Sequence, residues 1–331
     1  MFDWTYLLTP LLVLPIVLLF RFVGCTSFTS SETPPPPEAP TPPKAPTLPK
    51  YKEYILGSPN NPGTVKNPTV MPNGADVIGY WRLIDAAGNT SAQDEASSGR
   101  HGQYAEGHAC QLIAPTATTP GSEFRAPAKF IGGQDSLILS EPSAKCRYFD
   151  GGFVRVPHKP DFYTEQFTLE AWVFVDRLAP SFEHVLFDAG GKYGTPLAER
   201  GFQVVADRDA HWQVRLAPGT AFVFATPPLI PLGAPTHMAL TVENDGAPGG
   251  KKKVTLYVDG KVGATGTVNS YNLPETAPLF IGVENHAPLP TAGTDIRSPV
   301  LCRVQEVVLH RKALSKEEIE NHVDINQKTG A

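Results

Sequence analysis

From residue 76 onward, apolar and polar positions alternate in short runs separated by Gly, Pro, Asn and Asp. In 167–175 the alternation places Phe167, Leu169, Ala171, Val173 and Val175 on one face, the pattern of a half-buried strand. Residues 254–258 alternate in the same way and run into Asp259-Gly260, a pair favoured in tight hairpins because both central residues take positive φ. Comparable runs at 77–83, 137–139, 153–156, 184–187, 202–206, 212–216, 221–225, 238–242, 279–283 and 300–309 bring the total to about a dozen strands, which predicts a sandwich or barrel. Tyr80-Trp81 is expected opposite Val304, Val307 and Leu309, with both ends of the domain on one side. Residues 105–145, which contain Cys110, Gly121, Pro127 and Gly132-Gly133, read as an elaborated loop inserted between early strands. One helix is predicted, where Ser315-Lys316-Glu317-Glu318 forms a capping box and Ile319 and Val323 share a face. A single short helix does not suit an alternating α/β architecture.

The first 75 residues have another texture. Positions 7–20 are apolar except for Thr9, Pro10 and Pro15, and are followed by Arg21-Phe22-Val23-Gly24-Cys25. This run is shorter than the ~20 residues that span a bilayer comfortably, so 1–28 reads as a signal peptide or a membrane anchor. Val23-Gly24-Cys25 resembles the lipobox of bacterial lipoproteins, which would make Cys25 the lipidated residue. It departs from that pattern in Phe22, where Leu is usual, and in having no Lys or Arg before the apolar core. The alternative is a spanning helix with Arg21 snorkelling, for which the positive-inside rule gives a cytoplasmic domain. Nine prolines then fall between Pro34 and Pro49, and proline can join neither a helix nor a sheet interior. Residues 29–75 therefore read as a disordered linker that could hold a domain on the order of 100 Å from its anchor. The organisation predicted is a membrane-directed segment (1–28), a linker (29–75), a domain (76–326) and a tail (327–331).

Composition excludes some classes of function. At 41% apolar and 18% charged residues, the chain is neither an acidic disordered tail nor a multi-span membrane protein. Net charge is -5 overall, and residues 76–331 hold 23 Lys/Arg against 29 Asp/Glu, so no basic nucleic-acid footprint is present.

Eight segments, taken in order, carry a resemblance. Gly79-Tyr80-Trp81-Arg82-Leu83-Ile84-Asp85, Ser98-Gly99-Arg100-His101-Gly102-Gln103-Tyr104, Tyr148-Phe149-Asp150-Gly151-Gly152-Phe153-Val154-Arg155-Val156-Pro157 and Phe167-Thr168-Leu169-Glu170-Ala171-Trp172-Val173 come first. His237-Met238-Ala239-Leu240-Thr241-Val242, Leu256-Tyr257-Val258-Asp259-Gly260-Lys261, Phe280-Ile281-Gly282 and Val304-Gln305-Glu306-Val307-Val308-Leu309 follow, with Ala313-Leu314-Ser315 leading into the helix. Together, over residues 76 to about 325, they resemble the laminin-G-like, concanavalin-A-like jelly-roll family. The resemblance implies an all-β fold of two antiparallel sheets packed face to face with one short C-terminal helix. It implies ligands on the concave face or the rim loops, frequent calcium, and functions ranging from sugar binding to adhesion.

Jelly-roll glycoside hydrolases carry paired carboxylates as Glu-x-Asp-x-x-Glu or Glu-x-Asp-x-Glu on one strand, at the separation a retaining mechanism needs. That spacing is absent here, as are Gly-x-Ser-x-Gly and phosphate-binding glycine loops. Glu170 stands alone, with Trp172 two residues on, and reads as a hydrogen-bonded strand carboxylate. The expectation is that the chain is not an enzyme.

Calcium is the candidate cofactor. Asp94 lies where the family often has Asp before Ser-Gly, and Glu306 follows the place where it commonly has Asp, here Gln305. His101, His108 and Cys110 form a His-x6-His-x-Cys set that lacks a fourth zinc ligand. Sugar binding asks for exposed aromatics beside hydrogen-bonding groups, and the candidates are Tyr193, Trp212, Tyr271 and Asn272, while Trp81 and Trp172 read as core. Lys251-Lys252-Lys253 reads as a solvated edge. Cys110 and Cys146 bracket the inserted region and are the candidate disulfide, with Cys302 buried in a strand.

The resulting expectation is a noncatalytic binding or adhesion module, membrane-anchored at a cell envelope, with a glycan or a cell-surface protein as partner and no nucleic acid. A structural or assembly protein is the second reading. A polysaccharide hydrolase or lyase, lacking the paired carboxylates, is the third.

Overall fold

The structure is a computed structural model that describes residues 76–327 apart from several segments, the longest being 113–122, 135–145, 191–199 and 286–294. The chain divides into two units, Met1–Pro46 and Thr47–Ala331, and every described residue belongs to the second. The expectations for 1–28 and 29–75, Cys25 included, lie outside the described residues. Among the described residues no helix is long and apolar enough to cross a membrane.

The strands in chain order are β1 (Val77–Trp81), β2 (Ser91–Ala92), β3 (Gly102–Ala105), β4 (His108–Leu112), β5 (Glu123–Pro127), β6 (Lys129–Gln134), β7 (Cys146–Asp150), β8 (Phe153–Val156) and β9 (Phe167–Val175). They continue with β10 (His184–Asp188), β11 (Phe202–Ala206), β12 (Trp212–Leu216), β13 (Thr236–Asn244), β14 (Lys252–Val258), β15 (Lys261–Val268), β16 (Leu279–Ile281), β17 (Asp295–Ile296) and β18 (Leu301–His310). The helix α1 (Lys316–Gln327) closes the domain. An eight-stranded sheet runs β15-β14-β13-β9-β18-β7-β6 with β1 also on β18, and a seven-stranded sheet runs β12-β11-β10-β16-β8-β3-β2. The fold is the expected two-sheet antiparallel jelly-roll sandwich.

The alternation read in the sequence decides which side chains meet between the sheets. Phe167, Leu169, Ala171, Val173 and Val175 of β9 join Met238, Leu240 and Val242 of β13 and Val204, Val214 and Leu216 of the opposite sheet in one buried cluster. Val77, Gly79, Tyr80 and Trp81 pair antiparallel with His310, Leu309, Val308 and Val307, as expected for the two ends of the domain. Asp259 and Gly260 both take positive φ, 49° and 74°, in the β14–β15 hairpin.

The structure corrects three expectations. The 105–145 insertion is not a loop throughout, since β4 and β5 pair with each other and β17 adds to β4 in a third, three-stranded sheet, while β6 extends the large sheet. Residues 221–225 are not a strand. Val223 N donates to Val214 O, and the segment packs over β15 so closely that a Cβ at Gly266 would lie 2.6 Å from Val223. Pro218 and Pro227-Pro228 flank it and remove donors a ladder would need. The lysine run does not mark an edge, because β14 lies between β13 and β15, and Lys252 is buried with its ammonium on Asn244 Oδ1 (2.6 Å) and Glu165 Oε2 (3.2 Å).

The other face of the large sheet carries the helix. The capping box forms as read, with Glu318 N donating to Ser315 Oγ (3.2 Å) and Ser315 N to Glu318 Oε2 (2.7 Å). Ile319 and Leu314 pack on Ala239 and Tyr257. Thr168, fully buried, donates from Oγ1 to Lys312 O (2.9 Å) and accepts from Leu314 N (2.8 Å), tying the approach to α1 down onto β9. Thr168→Val keeps the shape but strands both backbone groups, so urea unfolding should show a loss of about 1–3 kcal/mol. A loss under about 0.5 kcal/mol would mean that the turn finds other partners.

Candidate functional site

Outward-facing positions of the seven-stranded sheet align into one row. Phe202 and Val204 point into the core, so Gln203 points out, and the same alternation turns Arg215, Phe280 and Arg155 outward. The cross-strand register then runs Arg215, Gln203, Asp188, Phe280, Arg155, Gln103, Ser91, one residue from each strand. Six of the seven are polar. Phe280 packs with Phe153 and Val283 in a small, fully buried apolar cluster on this side of the sheet.

Asp188 is the centre of this row. Its carboxylate accepts from Gly190 N (2.6 Å), Gln203 Nε2 (2.6 Å) and Asn285 N (2.9 Å). Burial pushes its carboxyl up from the ordinary aspartate value of 3.8 to about 7, against the pull of those three N–H donors. On one side, Arg215 donates from Nη1 to Gln203 Oε1 (3.3 Å) and from Nη2 to both carboxylate oxygens of Glu183 (2.9 and 2.8 Å), and its guanidinium lies 4.2 Å from the Phe222 ring centroid. Arg155 Nε, Gln213 Oε1 and Asn285 Oδ1 are buried without a hydrogen-bond partner. A sheet face with an ordered polar row and unmet hydrogen-bonding groups suits a hydroxyl-rich ligand, which can supply both donors and acceptors.

The residues read as sugar contacts in the sequence fare differently. Trp212 is fully buried between the sheets and cannot offer an exposed face, because Trp212, Val214 and Leu216 form the inward side of β12. Tyr271 is also buried, its ring 5.7 Å from that of Phe167, and burial pushes its hydroxyl far up. Asn272 is exposed at the end of β11 and β12, where its backbone accepts from Gly201 N (2.8 Å) and donates to Ala217 O (2.9 Å). Tyr193 lies outside the described residues.

Asp94 and Glu306, read as calcium ligands, are held at opposite ends of Tyr80. Asp94 accepts from the backbone N–H groups of Tyr80 (3.0 Å), Ala96 (3.1 Å) and Arg100 (2.8 Å) and from the Ser98 hydroxyl. Glu306, fully buried, takes the Tyr80 hydroxyl and Arg82 Nε (2.9 Å). Each carboxylate thus already serves the protein's own donors. His101 is part of the same turn, its Nδ1 accepting from Asp94 N (3.0 Å). Cys110 lies in β4 and Cys146 in β7, but their side chains, and with them the candidate disulfide, are outside the described residues. Cys302 is fully buried in β18, as expected.

The alternation carried a sign of the polar row in Gln203, Gln213, Arg215 and Arg155, but only pairing brings them beside Asp188. Glu170 is the second residue the sequence undervalued. It points to the helix side of the large sheet, where His310 Nε2 (2.7 Å), His322 Nδ1 (2.7 Å) and His237 Nε2 (3.2 Å) converge on its carboxylate. Burial opposes its ionisation, yet the charge of His322 and the approach of the three imidazoles hold its carboxyl well below the usual range.

A family model, the concanavalin A-like lectin/glucanases superfamily, matches residues 150–320, just over half of the chain. The chain belongs to this superfamily. No curated protein matches the sequence. Among solved structures, the superfamily domain is similar to Trypanosoma rangeli sialidase in complex with sialic acid, at 17% identity and a TM-score of 0.49 over 84% of this chain and 37% of that one. It is similar to domain 4 of AbnA, a GH43 extracellular arabinanase from Geobacillus stearothermophilus, in complex with arabinotriose, at 15% identity and a TM-score of 0.42 over 76% of this chain and 98% of that domain. A third is the binding domain of botulinum neurotoxin DC in complex with SialylT, at 10% identity and a TM-score of 0.44 over 77% of this chain and 52% of that one. The chain spans little more than a third of the sialidases' length, and at these identities the likeness is one of fold. The expectation that the chain is not an enzyme is corrected at this point. The superfamily whose model matches takes in glucanases as well as lectins, so the absence of one carboxylate spacing does not decide against glycoside chemistry.

Proposed function

We propose that the domain engages glycans across the outer face of its seven-stranded sheet, and that residues 1–75 hold it at a membrane of the cell envelope. The observation that carries this reading is the polar row from Arg215 to Ser91, with unmet hydrogen-bonding atoms on Arg155, Gln213 and Asn285. Sugar hydroxyls can both donate to and accept from such groups. The superfamily and the sugar complexes among its structural neighbours support the ligand class.

The test is binding of the full chain, in detergent, to a glycan array that includes sialic acid and arabinose oligosaccharides, with Arg155→Ala and Gln203→Ala beside it. Each substitution should weaken binding by about tenfold, as expected for a lost hydrogen bond to a directional group. Absence of binding to any glycan, or binding untouched by both substitutions, overturns the proposal. New reducing ends released from a bound glycan would assign turnover to the same face.

A further inference from the structure

Glu170 and the three histidines around it lie on the side of the large sheet away from the sandwich core, under α1. The four residues come from four elements, β9, β13, β18 and α1, and all have side chains at most 1% exposed. A buried carboxylate requires a positive partner. Among the described residues no Lys or Arg pairs with Glu170, and its partners are the three imidazoles.

Both ring nitrogens of His237 are buried without a hydrogen-bond partner. Its Nε2 nevertheless lies 3.2 Å from Glu170 Oε2, aimed into the cluster at an angle too oblique for a hydrogen bond. One ligand atom each from Glu170, His310 and His322 lies within 4.8 Å of the others. A tetrahedral ion with bonds of about 2.0–2.2 Å holds its ligands about 3.3–3.6 Å apart. The His310 and His322 nitrogens, now 2.7 Å from the Glu170 oxygens, would retreat by about 0.6–0.9 Å; His237 Nε2 is 3.2 Å from Glu170 Oε2 but is not part of that close group.

We propose that Glu170, His310 and His322 form a site for a transition-metal ion of the zinc class, which pins α1 to the outer face of the large sheet, with His237 the neighbour that would move in to complete four-coordination. Imidazole nitrogens with one carboxylate are a donor set suited to zinc and its neighbours, and unsuited to calcium, which takes oxygen ligands. The side chains around the site are at most 1% exposed, so the ion is structural, shut away from any substrate. The reading is independent of the glycan face, which belongs to the other sheet.

The experiment uses the untagged full chain in detergent, stripped with chelator and titrated with Zn2+ or Co2+. One ion per chain is expected, with the visible absorption of four-coordinate Co2+ and a rise in the unfolding temperature on loading. His322→Asn and Glu170→Gln should each lower affinity on the order of 100-fold or more. His101→Gln, in the other histidine cluster of the sequence, should leave both readouts intact. If either ligand variant fails to fold, the wild-type Co2+ spectrum still decides. A stripped chain that takes up no stoichiometric ion, or a Co2+ spectrum of octahedral aquo type, overturns the proposal, as does binding lost in His101→Gln and retained in His322→Asn.

Discussion

Glu306→Ala is expected to cost the domain about 3–5 kcal/mol, because it removes a fully buried carboxylate that holds both the Tyr80 hydroxyl and Arg82 Nε, the Arg82 side chain being 11% exposed. Glu306 lies at the bulge where β18 changes neighbours, pairing with β7 through Val304 and with β1 from Val307 onward. There it adopts a φ of 55°, a left-handed conformation unusual for a residue with a Cβ. The Tyr80 hydroxyl and Arg82 Nε hold its carboxylate, and its own N–H donates to Arg82 O (3.2 Å). Strain of this kind persists only where surrounding contacts over-determine it. Glu306→Gly removes the same carboxylate but suits the backbone, so it should lose about 1 kcal/mol less than the alanine variant. Urea unfolding of the two variants checks both numbers. A loss below about 1 kcal/mol in Glu306→Ala would mean that solvent or another group replaces the pair.

Stability should fall as pH rises from about 4 to about 7 through Asp188 alone. In the unfolded chain this carboxyl ionises near 3.8, whereas in the folded domain burial delays ionisation to about 7. Between those values the unfolded state has lost a proton that the native state keeps, so each pH unit favours unfolding. At about 1.4 kcal/mol per unit the full effect is roughly 4 kcal/mol, absent below pH 4 and complete above pH 7. The measurement is denaturant unfolding at several pH values for the native chain and Asp188→Asn, a near-isosteric side chain that cannot ionise. Other titrating groups cancel in the difference, so the native chain's advantage over Asp188→Asn should shrink by roughly 4 kcal/mol across that window. A flat difference would mean that the three donors to Asp188 outweigh its burial.

Much of the fold was legible because strand alternation is local. Strands β8, β9, β11 and β12 have the bounds that the period-two runs marked, and the Ser315–Glu318 cap forms as read. Strand β15 escaped notice because Gly263 and Gly266 and its short polar side chains blur the pattern at a sheet edge. Residues 221–225 misled for the opposite reason, being apolar enough for a strand but packed as a covering segment over β15. Trp212 and Tyr271 were misplaced because aromatic character alone does not separate a core residue from a sugar platform. The alternation of Trp212 with Gln213 and Arg215 already pointed it inward, with Val214 and Leu216.

What the sequence by itself determined was the set of half-buried strands, the hairpin at Asp259-Gly260, the capped helix and the face of each strand that enters the core. These follow from spacings of a few residues, where backbone geometry leaves little choice. Only the tertiary structure decided which outward residues meet. The row that crosses the seven-stranded sheet joins positions from Ser91 to Phe280, and Glu170 meets histidines at 237, 310 and 322. Strand order and register are set by packing between segments far apart in the chain, and no local spacing encodes them.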